Sequence, residues 1–172
     1  QQLSLNNNTL EGEIPIILSN CSNLWFIQLG DNKLKGKIPV ELGSLTKLEL
    51  LWLPNNNLEG EIPSSLGNLS MLSHFDVEVN NLVGNIPNSI GQLQGLFAFT
   101  ILGNKLSGTI PSSLYNVSSL QLVSVSSNQL SGTLPANIGL TLPDLRFLYF
   151  GENEFSGPLP TSLCNATQLQ SI

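Results

Sequence analysis

Asn104-Lys105-Leu106-Ser107-Gly108-Thr109-Ile110-Pro111 is the stretch that decides the fold of this chain. It holds an asparagine, a leucine, a glycine and an Ile-Pro pair at fixed offsets, and closely related copies recur along the 172 residues. The asparagines that open the copies are Asn8, Asn32, Asn56, Asn80, Asn104, Asn128 and Asn153. Successive copies start 24 residues apart, except that the last step is 25. A constant period in this range predicts a solenoid, in which one structural unit stacks on the next.

The residues before each asparagine follow the pattern Leu-x-x-Leu-x-Leu-x-x-Asn-x-Leu, as in Leu48, Leu51, Leu53, Asn56 and Leu58. The central apolar residues are two apart, so they point to one side of a short strand while the residues between them face solvent. Stacked copies therefore predict a parallel sheet along one concave wall. The asparagine amide is expected to bond main-chain groups of its own coil and of the next coil.

The residues after each asparagine predict the return path of the coil. Leu-x-Gly-x-Ile-Pro forms a second short extended segment, because proline fixes φ and ends strand pairing. A segment such as 64–67 is then long enough for one helical turn. The prediction is an α/β repeat solenoid with a concave parallel sheet, a second extended segment and short helical turns on the return side. One extra residue lies between Pro135 and Leu145, and we expect it to bulge the convex loop without changing strand register.

Composition limits the classes of function. Apolar residues make up 41% of the chain, so each repeat has enough side chains for a core and disorder is not expected. The net charge of −6 argues against nucleic acid and anionic lipid as partners. We expect residues 1–172 to form one segment of about seven 24-residue repeats, cut within a repeat at both ends and lacking caps.

The two cysteines are expected to be inert. Cys21 and Cys164 lie six repeats apart, or roughly 29 Å at about 4.8 Å per stacked strand. A disulfide needs Cα atoms within about 7 Å, so the two cannot pair within one chain. Cys21 takes the repeat position of Leu45 and is expected to be buried, whereas Cys164 falls at a turn.

No residue pattern predicts catalysis. His74 and Asp76 are the only pair that suggests it, and no nucleophile motif accompanies them, so His74 is interpreted as a surface residue. The sequence contains no metal-ligand cluster and no phosphate-binding glycine loop, and we expect no cofactor. This segment is therefore predicted not to be an enzyme.

The outward positions of the concave strands predict recognition instead. The first column is Gln2, Phe26, Leu50, His74, Ala98, Leu122 and Phe147, and the second is Ser4, Gln28, Trp52, Asp76, Thr100, Ser124 and Tyr149. Exposed aromatic and apolar side chains are costly unless a partner covers them, although Phe26, Leu50 and Trp52 could also cover one another. The residues predicted to bind a ligand are Phe26, Gln28, Leu50, Trp52, His74, Asp76, Glu78, Phe147 and Tyr149. Because acidic residues outnumber Arg146 on this wall, a partner of basic character fits best.

Two further patterns concern the surface. The outward pairs Glu11/Glu13, Lys35/Lys37 and Glu59/Glu61 predict exposed ion pairs Glu11–Lys35–Glu59 and Glu13–Lys37–Glu61 between neighbouring coils. Sequons for N-glycosylation occur at Asn7, Asn20, Asn68, Asn116 and Asn165. All but Asn7 fall at the same point of alternate coils, which predicts a row of glycans on one return face.

These repeats resemble the plant extracellular leucine-rich repeat, whose signature adds Leu-x-Gly-x-Ile-Pro to the general repeat. The segments 18–24 and 114–120, and the extra residue before Leu142-Pro143-Asp144-Leu145, are similar to one group of plant receptor kinases. That group includes the receptor for bacterial elongation factor Tu and a rice bacterial-blight resistance receptor.

The resemblance implies the extracellular face of the plasma membrane, with a signal peptide before this segment and a transmembrane helix and Ser/Thr kinase after it. It also implies a peptide or protein ligand in defence or developmental signalling, and a co-receptor. Two alternatives stay open. The chain could be a secreted inhibitor of cell-wall polygalacturonase, or a set of spacer repeats within a larger receptor.

Overall fold

The computed structural model describes all residues 1–172, which form a solenoid with two seven-stranded parallel sheets. Strands are numbered in chain order. The odd strands, which form the concave sheet, are Gln2–Ser4 (β1), Phe26–Gln28 (β3), Leu50–Trp52 (β5), His74–Asp76 (β7), Ala98–Thr100 (β9), Leu122–Ser124 (β11) and Phe147–Tyr149 (β13). The even strands, which form the second sheet, are Glu11–Glu13 (β2), Lys33–Lys37 (β4), Asn57–Gly60 (β6), Asn81–Asn85 (β8), Lys105–Thr109 (β10), Gln129–Thr133 (β12) and Glu154–Ser156 (β14).

Short helical turns complete each coil, as the sequence predicts. The 3₁₀ turns are Ile16–Asn20, Val40–Ser44, Ser64–Asn68, Asn88–Gln92, Leu114–Asn116 and Thr161–Asn165, and one α-helical turn (α1) spans Ile138–Thr141. Proline immediately precedes most of the 3₁₀ turns; Pro63, with φ −64°, is one example. Because proline has no N–H and its φ is already fixed, it delivers the chain from the second sheet into the turn.

The extra residue is accommodated in the α1 coil. Strands β11 and β13 still pair in parallel, with Leu122 opposite Phe147. Paired residues of these two strands are 25 positions apart in sequence, one more than in the other strand pairs of the concave sheet, and the outward columns stay aligned. The prediction that the insertion leaves strand register intact is confirmed.

The two sheets differ in register, which corrects the predicted ion pairs. In the concave sheet before the insertion, each residue faces the one 24 positions later, as Gln2 faces Phe26. In the second sheet before the insertion, the paired residues are 22 positions apart, as Glu13 and Lys35 are. Glu11 faces Lys33, and Lys37 faces Glu59. The predicted pairings are therefore wrong by two residues. Opposite charges still lie side by side on exposed positions, so the pattern contributes little to stability.

The core is a single cluster of 39 buried residues formed by the repeated leucines and isoleucines. Where the repeat carries Phe75 and Phe99 instead, the two rings stack with centroids 5.6 Å apart. Each coil thus buries its apolar side chains against its neighbours, as expected for a repeat protein.

The repeated asparagines link each coil to the one before it. Asn80 Oδ1 accepts the N–H of Leu58 at 2.9 Å, and its Nδ2 donates to the carbonyl oxygens of Leu53, Val77 and Glu78. The same set of bonds recurs from Asn32 to Asn153. The sequence predicted these main-chain bonds, but with the following coil. The preceding coil supplies the partner because the side chain points back towards it.

Small residues join the helical turns on the convex side. Ser89 lies against Gly67 of the previous turn, and its hydroxyl donates to the carbonyl oxygen of Ser64 at 2.6 Å.

The prediction that Cys21 is buried is wrong, because its side chain is exposed. Its counterpart Leu45 is covered by turns on both sides, whereas the turn that carries Cys21 packs against only one other turn. Cys164 is exposed at its turn.

Candidate ligand-binding surface of the concave sheet

The outward columns predicted from the sequence are the observed ones. Pairing along the concave sheet places Phe26 opposite Leu50, and Leu50 opposite His74, in the first column. Trp52 and Asp76 face each other in the second column. A period of two therefore identified both columns correctly, because consecutive residues of a strand point to opposite faces.

The outward side chains of the concave sheet are large in two places and small between them. Large half-buried side chains lie around Trp52 on the third strand, and on the last strand, where the rings of Phe147 and Tyr149 stack with centroids 6.4 Å apart. Between them Ala98 and Thr100 are small and buried. The surface thus offers two aromatic areas separated by small residues. These aromatic side chains contact their neighbours but remain half-buried, so part of each ring is still open to solvent.

Trp52 and Asp76 form the polar centre of the first area. The Trp52 indole N–H donates to Asp76 Oδ2 at 3.1 Å, and the backbone N–H of Glu78 donates to Asp76 Oδ1 at 3.0 Å. Burial raises the pKa of Asp76 above its ordinary value, against the opposing effect of these two hydrogen bonds.

Glu78 adds a second unfavourable charge beside Asp76. Burial raises the pKa of Glu78, and the negative charges of Asp76 and Asp31 raise it further. All the charges that act on Glu78 are therefore of its own sign. A cation placed here would relieve both the repulsion and the desolvation.

His74 does not take part in a catalytic pair. Its ring is exposed and stacks on Phe97 with centroids 5.2 Å apart, and its Nδ1 lies 2.8 Å from the Ser73 hydroxyl. Asp76 directs its oxygens to Trp52 and to the Glu78 backbone instead. The interpretation of His74 as a surface residue is consistent with this arrangement.

A row of residues in the left-handed conformation forms the rim at the carboxyl ends of the concave strands. This rim consists of Asn7, Asp31, Asn55, Val79, Gly103, Ser127 and Glu152, whose φ angles lie between 50° and 66°. Asn55 donates to Asp31 at 2.9 Å, and Ser127 donates to Glu152 at 2.6 Å. The rim is polar at both ends and apolar at Val79.

The opposite edge of the concave sheet carries exposed apolar residues that the sequence reasoning missed. Trp25, Met71 and Phe97 are 36%, 51% and 38% exposed. Trp25 and Met71 line a shallow cavity of about 460 Å³, together with Lys47 and Glu49. These residues precede the strand, outside the period-two pattern. A comparison of that position across the repeats would have revealed Trp25 and Phe97.

The largest cavity lies elsewhere, between the second sheet and the helical turns. It has a volume of about 800 Å³ and includes Lys37, Val40, Glu61, Pro63 and Val83 in its lining. Its floor is made of the Ile-Pro segments that recur in each coil. It is therefore a feature of the repeat itself.

The sequons fall where their spacing predicts. Asn20, Asn68, Asn116 and Asn165 are each the last residue of a 3₁₀ turn and are exposed. Asn7 is also exposed, but on the rim of the concave sheet.

No group of three or more His, Cys, Asp or Glu side chains is placed to hold a metal ion. None of the helical turns has the length and apolar character needed to cross a bilayer.

Comparisons with known proteins agree with this fold. The Leucine Rich Repeat family matches residues 1–21, 47–69, 119–140 and 144–166. No curated protein sequence matches the chain. Among solved structures, a TDR receptor is 37% identical over 100% of this chain, with a TM-score of 0.97, and the match covers 30% of that receptor chain.

Two other solved structures were determined with bound partners. One is the ectodomain of the Arabidopsis thaliana membrane receptor kinase GASSHO1/SCHENGEN3 in complex with CASPARIAN STRIP INTEGRITY FACTOR 2. It is 38% identical over 99% of this chain and 20% of its own, with a TM-score of 0.95. The other is the Arabidopsis receptor kinase HAESA with the peptide hormone IDA and the co-receptor SERK1. It is 34% identical over 98% of this chain and 28% of its own, with a TM-score of 0.94.

This chain spans less than a third of the length of each of these structures. As the sequence predicted, it is built of leucine-rich repeats and is not an enzyme. The chain therefore belongs to the leucine-rich repeat family and has the ectodomain fold of plant receptor kinases.

Proposed function

We propose that this chain is the ligand-recognition segment of a plant receptor kinase and binds an extended peptide along the concave sheet. The observation that carries the proposal is the pair of aromatic areas, around Trp52 and around Phe147 and Tyr149, with the small residues Ala98 and Thr100 between them. Half-buried aromatic side chains gain most when a partner covers them. GASSHO1/SCHENGEN3 and HAESA, which have the same fold, are described in complexes with CASPARIAN STRIP INTEGRITY FACTOR 2 and with a peptide hormone, respectively.

The concave sheet of this chain is long enough to hold a short extended peptide. The seven strands of this chain span six spacings, or roughly 29 Å at about 4.8 Å per spacing, and about nine residues of an extended peptide would lie along them. The proposed contact residues are Phe26, Gln28, Leu50, Trp52, His74, Asp76, Glu78, Phe147 and Tyr149. A cationic ligand residue would lie over Asp76 and Glu78, because no positive charge of the free protein offsets these two carboxylates.

The setting of the protein follows from the same proposal. The segment lies on the outer side of the plasma membrane, as one region of about seven repeats within a longer chain, and acts in defence or developmental signalling. A co-receptor joins the liganded complex, as SERK1 does in the HAESA structure.

Glycosylation divides the surface between a glycan face and a binding face. We propose that Asn20, Asn68, Asn116 and Asn165 carry glycans, since all four are exposed ends of 3₁₀ turns in alternate coils. Asn7 is a fifth proposed site. Carbohydrate on the return side leaves the concave sheet open to a ligand.

The experiment compares the two faces in the full-length protein. A library of random linear 12-residue peptides is selected on the wild-type protein, and the selected peptides serve as probes. The variant Trp52→Ala/Tyr149→Ala is expected to weaken probe binding by at least about 30-fold, since two aromatic contacts cost about 1–3 kcal/mol each. Asn68→Gln is the control and is expected to bind as the wild type does.

Two results would contradict the proposal. One is that the wild-type protein selects no peptide. The other is that probe binding survives loss of Trp52 and Tyr149 but not loss of Asn68, which would place the ligand on the return face. If binding survives all the substitutions, these repeats serve as spacers within a larger receptor.

A further inference from the structure

The rim of the concave sheet has one apolar position, Val79. Every other residue of the rim is Asn, Asp, Gly, Ser or Glu. The polar pairs Asp31–Asn55 and Ser127–Glu152 close the rim on either side. Val79 is 46% exposed between them. The side chain is therefore an apolar gap in a polar edge.

Val79 occupies this position against its backbone preference. Its φ is 50°, in the left-handed region that disfavours a branched Cβ. Backbone hydrogen bonds hold the residue there: its N–H donates to Leu102 at 2.7 Å, and its carbonyl oxygen accepts from Asn56 at 3.3 Å. The fold thus imposes the conformation whichever side chain is present. Asparagine, found at the equivalent positions 7 and 55, tolerates this conformation better.

The space beside Val79 is open. The neighbouring rim residue is Gly103, where an added Cβ would come within 3.5 Å of Val79 Cγ2. Because Gly103 has no side chain, this flank of the isopropyl group remains uncovered. Gly103 follows the strand that carries the small, buried residues Ala98 and Thr100, so no large side chain blocks a peptide that crosses the rim here from the concave sheet.

We propose that Val79 is a specificity-determining residue that packs against an aliphatic side chain of the bound peptide where the peptide crosses the rim. The occupant is an extended peptide in which the residue next to this aliphatic side chain is cationic, because Glu78 directly precedes Val79 and faces only negative neighbours. This inference rests on the proposed peptide-binding function.

The test uses two substitutions that separate backbone strain from ligand contact. Val79→Asn relieves the strained backbone and removes the apolar group. Val79→Thr keeps the branched Cβ and replaces one methyl group with a hydroxyl. In the full-length protein, Val79→Asn is expected to raise the unfolding temperature by about 2 °C. Val79→Thr is expected to leave the unfolding temperature within about 1 °C of the wild-type value.

Binding of the selected 12-residue peptides is measured on the same proteins. Both substitutions are expected to weaken binding by about 10-fold, the effect of losing one buried aliphatic contact. Each aliphatic residue of a selected peptide is then replaced by alanine. One such replacement is expected to cost about 10-fold on the wild-type protein and little on Val79→Asn, as contacting residues do in a double-mutant cycle.

The inference is overturned if both Val79 variants bind the peptides as tightly as the wild type, or if no peptide position is coupled to Val79. The Trp52→Ala/Tyr149→Ala variant distinguishes the two proposals. If it loses binding while the Val79 variants do not, the concave site stands and only the role of Val79 is wrong. If it binds normally, the proposed function itself fails.

Discussion

Trp52 donates its indole N–H to the carboxylate of Asp76, the residue that faces it across the neighbouring strand, at 3.1 Å. The bond holds the indole ring against the concave sheet and fixes one of its faces towards solvent. It also ties the orientation of the largest aromatic side chain of the site to a carboxylate that burial makes harder to ionise. The aromatic and acidic parts of the surface therefore act as one unit.

The stability of the fold is expected to respond to pH through Glu78. Its pKa is raised in the folded state, so the folded chain binds protons more tightly than the unfolded chain and stability falls as pH rises through this raised pKa. Glu78→Gln should stabilise the protein at pH 7 by about 0.5 kcal/mol or less, since solvent screens a half-exposed charge. This gain in stability should vanish below about pH 4, where the glutamic acid at position 78 is protonated and is therefore as uncharged as the glutamine of the variant.

Urea unfolding at pH 7 and pH 4 measures this difference. Glu59→Gln is the matched control, because Glu59 faces Lys37 in the second sheet and gains nothing from losing its charge. An equal stabilisation from both substitutions would show that net charge, and not the local environment of Glu78, is responsible.

The asparagine ladder is expected to contribute more to stability than any exposed polar group. Asn80→Ala leaves the buried N–H of Leu58 unpaired. It also removes one of the two hydrogen bonds that the carbonyl oxygens of Leu53, Val77 and Glu78 each accept, and we expect a loss of about 3 kcal/mol. Asn8→Ala should cost less than about 1 kcal/mol, because Asn8 bonds only Leu5 and Asn6 of its own coil at an exposed position. Chemical denaturation of the two variants gives both values. Equal losses would argue against the links between coils as the source of the effect.

In the helical turns on the convex side, glycine is required because there is no space for a side chain, and not because of its backbone conformation. An added Cβ at Gly67 would lie 2.5 Å from the backbone oxygen of Ser89, too close for the turns to stack. Gly67→Ala is expected to destabilise the fold by about 2–3 kcal/mol. Gly95→Ala has nothing within 4 Å of its new Cβ and should be neutral or slightly stabilising. Thermal unfolding of both variants tests the contrast, and an equal effect at the two positions would contradict it.

The proposed row of glycans predicts that one substitution removes a glycan and that another adds one. Asn68→Gln should remove one glycan from the protein secreted by a eukaryotic host. Ser44→Asn places a sequon before Leu45 and Thr46, at the last residue of the 3₁₀ turn between two natural sites, and should add one glycan. Mass spectrometry before and after enzymatic deglycosylation counts them. A Ser44→Asn protein that folds but stays unmodified would show that exposure at this turn does not suffice for modification.

The sequence predicted those features that depend on a local period. Trp52 and Asp76 were placed side by side because residues two apart in a strand share a face, and the repeat fixes which residues meet. The same reasoning failed in the second sheet, where Glu13 faces Lys35 and not Lys37. The register of the second sheet depends on how far the turn at each asparagine shifts one coil along the next. That shift cannot be read from the repeat length.

Features set by neighbouring coils were harder to predict. Cys21 has the repeat position of a buried leucine, but its burial depends on a second turn packing against it. Val79 could have been noticed, since it is the one branched apolar residue among Asn, Asp, Gly, Ser and Glu at that position. Its left-handed φ and its open flank beside Gly103 required the structure.

The direction of the asparagine bonds also bears on how the chain folds as it is synthesised. The N–H of Leu10 is satisfied by Asn32, which lies 22 residues later, and the same arrangement links Leu34 to Asn56. A coil leaving the ribosome thus keeps an unpaired amide until most of the following repeat has emerged. Folding should advance along the nascent chain with a lag of about one repeat, and a pause in translation would leave only the newest coil incomplete.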